Sequence, residues 1–250
     1  MQVVEIRRYP VKSMLGERLQ AAEVGERGLT GDRLWAVRDP DGKFGSGKNT
    51  RRFRRMPGLF GFRAYAAPGE LPDGRRVFGA TAAFRAPVVE LPDGRCFAAD
   101  DPAGHRAISE ALGRMVTLSP EGAVAHHDEG PVSLITTAGL RRLTGLTGGG
   151  PDGSEVDPAR FRANLLIDVP GNGFPEDDWP GRRLRVGPDV VLRPVRPLTR
   201  CVMIDQPQDR APDRNDLLKT LAARHDMTFG VFAVVERPGR VSTGDACVWA

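Results

Sequence analysis

The sequence predicts a mainly β or α+β chain with a few inserted helices, and three observations predict it. Thirty glycines and 21 prolines among 250 residues put breakers too close together for a helix bundle. Pro-Asp-Gly recurs at Pro40–Gly42, Pro72–Gly74, Pro92–Gly94 and Pro151–Gly153. Proline presets φ, aspartate bonds its own backbone and glycine takes a positive φ, so each is a turn. Helix-period segments are few, and the regular strand–helix alternation of a dinucleotide-binding fold is missing. The turns fall at irregular intervals, which excludes a repeat architecture.

The elements follow in order. Val3–Val11 alternates around Val4, Ile6 and Tyr9 and predicts a strand closed at Pro10. Leu34–Arg38 predicts a second strand that runs into the turn at Asp39–Gly42. Val88–Leu91 and Arg95–Ala98 flank another turn as a hairpin. Pro102–Leu112 predicts a helix ended by Gly113, and Thr136–Leu146 one capped by threonine. Asp213–His225 predicts a third, capped by Asp213 or Asn215, with Leu217, Leu218 and Leu221 on one face. Leu146–Asp157, rich in glycine and polar residues, is a linker or a long surface loop. Beyond it, Asn164–Val169, Leu184–Val186, Val190–Leu192, Phe229–Val235 and the residues after Gly244-Asp245 carry strand character.

Composition narrows the function classes. With 40% hydrophobic and 27% charged residues the chain is globular, and 250 residues make one large domain or two small ones. A net charge of +4 is too small for a general nucleic-acid surface. Of 36 basic residues, all but Lys12, Lys43, Lys48 and Lys219 are arginine. Most of that is compositional bias, but a subset suits an anion site, because guanidinium grips phosphate in a fork. The start has no apolar leader core and no run approaches a membrane span, so a cytoplasmic chain without membrane partners is expected.

Three stretches invite chemistry. Gly42–Asn49 nearly spells a phosphate-binding P-loop, but Asn49 stands where a hydroxyl is needed and no amphipathic helix follows. His126-His127-Asp128-Glu129 are consecutive, so they cannot turn to one ion, and the stretch reads as a polar loop. Cys201 follows Arg193, Arg196 and Arg200, and neighbouring positive charge favours the thiolate, a nucleophile and soft-metal ligand. Cys96 and Cys247, in apolar strand contexts, read as core residues.

Several segments together resemble a known family. Tyr9–Ser13 (YPVKS) and Gly31–Val37 (GDRLWAV) resemble the N-terminal β-barrel domain that accompanies MOSC domains. Arg160–Asn164 (RFRAN), Glu176–Trp179, Gly181–Gly187, Leu198–Cys201 and Val241–Val248 resemble the MOSC domain itself, in the family's order. The resemblance implies a β-barrel-like N-terminal domain over residues 1–118 and a MOSC β-barrel over 119–250. It also implies a molybdenum cofactor (molybdopterin), with Cys201 as catalytic residue and molybdenum ligand, and no pyridoxal phosphate. Its anion- and pterin-holding positions map onto Lys12, Ser13, Arg33, Arg162, Asn164, Thr199 and Arg200. By similarity to the mitochondrial amidoxime-reducing component and its bacterial relatives, the implied activity is reduction of N-hydroxylated small molecules with electrons from a separate reductase or ferredoxin-type donor.

The chain departs from the family pattern at Leu198, where many relatives carry a second cysteine. It departs again in Phe44–Phe53, which is expected to lie over the cofactor mouth, and a C-terminal ferredoxin domain is not expected, so electrons are expected from a separate donor. Three alternatives accompany the reductase: a sulfur carrier with a persulfide on Cys201, a cofactor-storage module, and an RNA-binding β domain. The last is disfavoured by sparse aromatic residues and few lysines.

Overall fold

The computed structural model describes residues 1–66, 86–149, 153–209 and 211–250. The expected turn at Pro72–Gly74, and Pro151 and Asp152 of the turn that ends at Gly153, lie outside the described residues. Strands dominate, with three α-helices among the described residues, as the density of breakers requires.

The contacts divide the chain into two compact units that interleave in sequence. One comprises Met1–Arg7, Arg18–Thr30 and Glu129–Ala250; the other comprises Arg8–Glu17 and Gly31–Asp128. Unlike the contiguous division expected at residue 118, the first strand and the segment after Arg18 belong with the C-terminal residues.

The first unit is built on an eight-stranded sheet. Its order is Cys247–Trp249, Leu184–Val186, Val190–Thr199, Thr228–Arg237, Val132–Thr136, Leu165–Asp168, Gln2–Arg8 and Glu17–Leu19. Val132–Thr136 and Leu165–Asp168 run parallel, and the residues between them supply the crossover that a parallel pair needs. A second, three-stranded sheet pairs Gly239–Ser242, Ala21–Gly25 and Gly28–Leu29. Val3, Ile6, Leu134, Ile167, Leu184 and Val231 are among the fully buried side chains of the main core.

The expected alternation of the first strand is corrected by a bulge. The register shifts between Val3 and Glu5, so Val3, Glu5 and Ile6 are buried while Val4 is 40% exposed. A bulge places two residues opposite one and reverses the inward face beyond it.

The helices follow local chemistry. Helix α1 (Pro102–Leu112) is capped by Asp101, whose carboxylate accepts the Ala103 N–H, and ends at Gly113 with φ +60°. Helix α2 (Thr137–Thr147) is capped by Thr136, whose hydroxyl accepts the Gly139 N–H at 2.9 Å. Helix α3 (Leu217–Arg224) starts later than the sequence suggests. Its first N–H groups, from Leu217 and Leu218, donate to the carboxylate of Asp205 at 3.0 and 3.2 Å, so neither Asp213 nor Asn215 is the cap. The ends of the glycine-rich stretch before Asp157 lie inside one unit, with Val156 buried, so the stretch does not link two units.

The second unit pairs Val11–Lys12, Trp35–Arg38, Phe44–Ser46, Phe53–Arg55 and Thr117–Pro120 in one sheet. Arg63–Tyr65, Val88–Glu90 and Cys96–Ala98 form another, which contains the expected hairpin. Phe62, Met14, Leu59 and Ile108 fill its core. No helix among the described residues is long and apolar enough to cross a membrane.

Candidate functional site

In the first unit, the strand Val190–Thr199 delivers the cysteine segment. Thr199, its exposed last residue, lies opposite Thr228. Arg200 then turns back: its Nε and Nη2 donate to the Phe229 carbonyl at 2.8 and 2.5 Å, and its Nη1 to the Phe161 carbonyl at 2.9 Å. Cys201 follows, partly exposed, at the head of a short 3₁₀ turn.

The loop beyond Cys201 is pinned by Arg160, which is 3% exposed. Its guanidinium donates to the carbonyls of Ile204, Gln206 and Pro212 at 3.2, 3.3 and 2.5 Å. The Gln208 amide donates to the carbonyls of Met203 and Arg160 at 2.7 and 3.3 Å. Burial and the nearby Arg214 charge pull the Arg160 pKa down, yet no carboxylate pairs with it directly.

Asn164 is buried at 2% exposure. Its carbonyl oxygen accepts from the Ser133 N–H and hydroxyl at 3.0 and 2.9 Å, and its amide donates to the Arg7 carbonyl at 3.3 Å. It therefore ties the strand it precedes to the strands that carry Ser133 and Arg7.

In the second unit, Lys12 is 5% exposed, and its Nζ donates to the His126 carbonyl and the Asp128 carboxylate, each at 2.7 Å. Burial pulls its pKa down to about 8, and Asp128 opposes that fall. The Ser13 hydroxyl donates to the Gly45 carbonyl at 2.9 Å. Arg33 pairs with the buried Asp32 and lies over the Tyr9 ring at 4.9 Å. Burial would raise Asp32, but Arg33, His127 and the Tyr9 N–H outweigh it and hold its pKa at about 2.

Backbone strain marks these positions independently. Among the described residues, six non-glycine residues have positive φ, and Ser13 (65°), Arg33 (51°) and Arg162 (54°) are three of them. Each such residue costs on the order of 1 kcal/mol and gathers where a side chain must be aimed.

Some expectations change. His126–Glu129 is no simple polar loop: His126 is fully buried edge-on to Phe44, and burial lowers its pKa to about 4. Cys247 is a core thiol pushed up to about 12 by burial, whereas Cys96 is only partly buried on an edge strand and is not core. The Thr136 and Thr137 hydroxyls donate to the Glu176 and Asp168 carboxylates, so the start of α2 is also tied to the residues beyond it. Inside the P-loop look-alike, Phe44–Ser46 is a strand that pairs in parallel with Phe53–Arg55 beyond it.

Sequence reasoning missed Arg160, Asp128 and Glu176. Arg160 and Glu176 stood inside quoted motifs, and their full burial was the unread signal.

The model of the MOSC N-terminal β-barrel domain matches residues 1–71, and that of the MOSC domain matches residues 121–248, just over half of the chain. This chain belongs to the MOSC family. Lys12, Ser13 and Arg33 fall in the first matched region, and Arg162, Asn164, Thr199, Arg200 and Cys201 in the second. MOSC domains are linked to molybdenum-cofactor-binding or sulfur-carrier proteins.

The MOSC chain is also similar in fold to the YuaD protein from Bacillus subtilis, with 14% identity and a TM-score of 0.50, covering 98% of this chain and 92% of that one. YiiM from Geobacillus stearothermophilus matches at 16% identity and a TM-score of 0.36, over 48% of this chain and 54% of that one. Comparison with curated proteins returns no match.

Proposed function

We propose that this MOSC chain binds a molybdenum cofactor and reduces N-hydroxylated compounds, with electrons from a separate donor protein. The observation that carries this reading is Cys201: a partly exposed thiol at the end of a ten-residue strand, on a loop fixed by Arg160. Among the described residues no group of three or more His, Cys, Asp or Glu gathers to hold a metal. A metal here must bring most of its own ligands, which a pterin dithiolene does, leaving one position for a soft thiolate. The residues present therefore fit the group.

When bound, the cofactor supplies two-electron chemistry that splits an N–O bond. Two electrons and two protons convert N–OH to N–H and water. Cys201 Sγ would ligate the metal and tune it. In the first unit, Arg162, Thr199 and Arg200 would supply donors and positive charge for the cofactor. Asn164 would hold the strand ends around Ser133 and Arg7 in register.

Protein from molybdate-fed cells is expected to carry molybdenum and pterin fluorescence. Cys201→Ala should lower both metal content and N-hydroxyl reduction by more than about tenfold with the fold intact. Wild-type protein without molybdenum, or a variant that keeps metal and activity, would sink the reading.

The same accessible thiol supports a second reading, a sulfur carrier with a persulfide on Cys201. Its mark is one added sulfur on Cys201 in the mass of fresh protein, without pterin fluorescence.

A further inference from the structure

The Gly181–Gly187 motif has no part in the proposed reaction, yet it helps to build a cleft. A hollow of about 580 Å³ opens between Arg182, Arg183, Arg193, Glu236 and Trp249, all in the first unit. Gly181 turns the chain at φ +83° and donates its N–H to the Pro194 carbonyl at 2.9 Å. That turn brings Arg182 and Arg183 beside the strand that carries Arg193. Leu184 pairs with Leu192 on one side and Trp249 on the other, so the lining residues sit on neighbouring strands.

A bulge supplies the carboxylate. Val191 lies opposite Arg237 and Leu192 opposite Val235, so Glu236 is the extra residue. A bulge re-aims the side chain that it frees from the ladder. Glu236 accepts from the Nε of Arg183 and of Arg193 at 2.7 and 2.8 Å, one on each oxygen. Among the described residues these guanidiniums use only their Nε, which leaves the forked Nη ends that grip phosphate.

Arg182 pairs with no carboxylate among the described residues. Its guanidinium carbon lies 3.6 Å from the centre of the Trp249 ring, and the buried Trp179 meets that ring edge-on at 5.5 Å. A planar cation is thus stacked on a braced aromatic ring. Among the lining side chains three guanidiniums face one carboxylate, a surplus that favours an anion.

We propose that this cleft binds a phosphorylated ring compound of the nucleotide class, with its phosphate on the Nη ends of Arg183 and Arg193 and its ring on the Arg182–Trp249 stack. The hollow has room for it, since small-molecule sites run from about 300 to 1,000 Å³. Arg193 and Thr199 lie on one extended strand, roughly 20 Å apart at about 3.3 Å per residue, so the cleft is separate from the Cys201 loop. The inference goes beyond the proposed reductase and does not rest on it.

The test is calorimetric titration of adenosine monophosphate (AMP) and of ribose 5-phosphate into the full-length chain. Wild type should bind AMP saturably at millimolar concentration or below, and ribose 5-phosphate about fivefold more weakly because it lacks the ring. Arg193→Met should weaken both about tenfold. Its side chain is 40% exposed, so the substitution opens no core. Arg182→Lys keeps the charge but loses the planar face, and should bring AMP down to the level of ribose 5-phosphate. Arg240→Met removes an equal charge from a 66%-exposed site in the same unit, paired with Glu23 at 3.6 Å, and should change neither.

Absence of saturable AMP binding at millimolar concentration would overturn the proposal. So would equal weakening by Arg193→Met and Arg240→Met, or a preference for AMP that survives Arg182→Lys. Molybdenum content is a separate measurement, so failure of the reductase reading and failure of this one are told apart.

Discussion

The cations beside Cys201 and those beside Lys12 are held by different means. Around Cys201, Arg160 and Arg200 donate to backbone carbonyls: those of Ile204, Gln206 and Pro212 for the first, and of Phe161 and Phe229 for the second. In the other unit, Arg33 and Lys12 meet the carboxylates of Asp32 and Asp128. A carbonyl satisfies a guanidinium without cancelling its charge, so Arg160 and Arg200 stiffen the loop and still project a positive field. A carboxylate cancels the charge it orients, so the second unit presents its cations fully only when a carboxylate moves away. Rigidity thus belongs to the thiol's loop, and adjustability to the carboxylate-paired cations of the second unit.

The sharpest break of this contrast is Arg160→Met. Three buried carbonyls lose a donor that methionine cannot replace, a loss of about 4 kcal/mol in unfolding free energy. The residues from Met203 to Pro212 should become cleavable by protease while the second unit stays intact. A variant with wild-type stability and an uncut loop would show that the carbonyl ties do not fix it.

The carboxylate side predicts a pH signature. Burial sets the folded pKa of Lys12 at about 8, below its ordinary 10.5. Between those values the unfolded chain binds more protons, so stability rises with pH across that window and the deficit is fully present below it. Denaturant titrations should show a rise of roughly 3 kcal/mol in wild type that Lys12→Met lacks. Parallel curves for the two proteins would refute the assignment.

The same contrast explains what was legible in the sequence. Strand positions, the hairpin at Val88–Ala98 and the ends of α1 were readable because the signals are local: alternation, Pro-Asp-Gly and an Asp–Pro start with glycine after the last turn. The cap of α3 was not, because Asp205 lies far from the helix start in sequence. The inward face of the first strand was lost to a bulge, which leaves no local mark. Among the candidate site residues, motif position singled out Cys201, Arg33 and Arg162. It could not tell Asn164, whose amide is spent on Ser133 and Arg7, from a residue that reaches a ligand. Asp128 and Glu176 were invisible because composition says nothing of burial.

Glu176 gives the smallest and most discriminating test, since it is a fully buried carboxyl held by a neutral hydroxyl. Burial raises its pKa, against the Thr136 hydroxyl that donates to Oε2 at 2.6 Å. Its other oxygen has no hydrogen-bond partner among the described residues and lies 2.7 Å from where a Cβ on Gly139 would stand, so a bulkier helix residue would crowd it. A carboxyl with a raised folded pKa holds its proton in the fold longer than in the unfolded chain. Its contribution is complete below the unfolded value and is lost as pH rises through the folded one. Glutamine keeps an acceptor for Thr136 and carries no charge at any pH. Glu176→Gln should therefore match wild type near pH 4 and exceed its stability at pH 7 by about 1 kcal/mol, read from denaturant midpoints. An offset of equal size at both pH values would mean that shape, not charge, sets its cost.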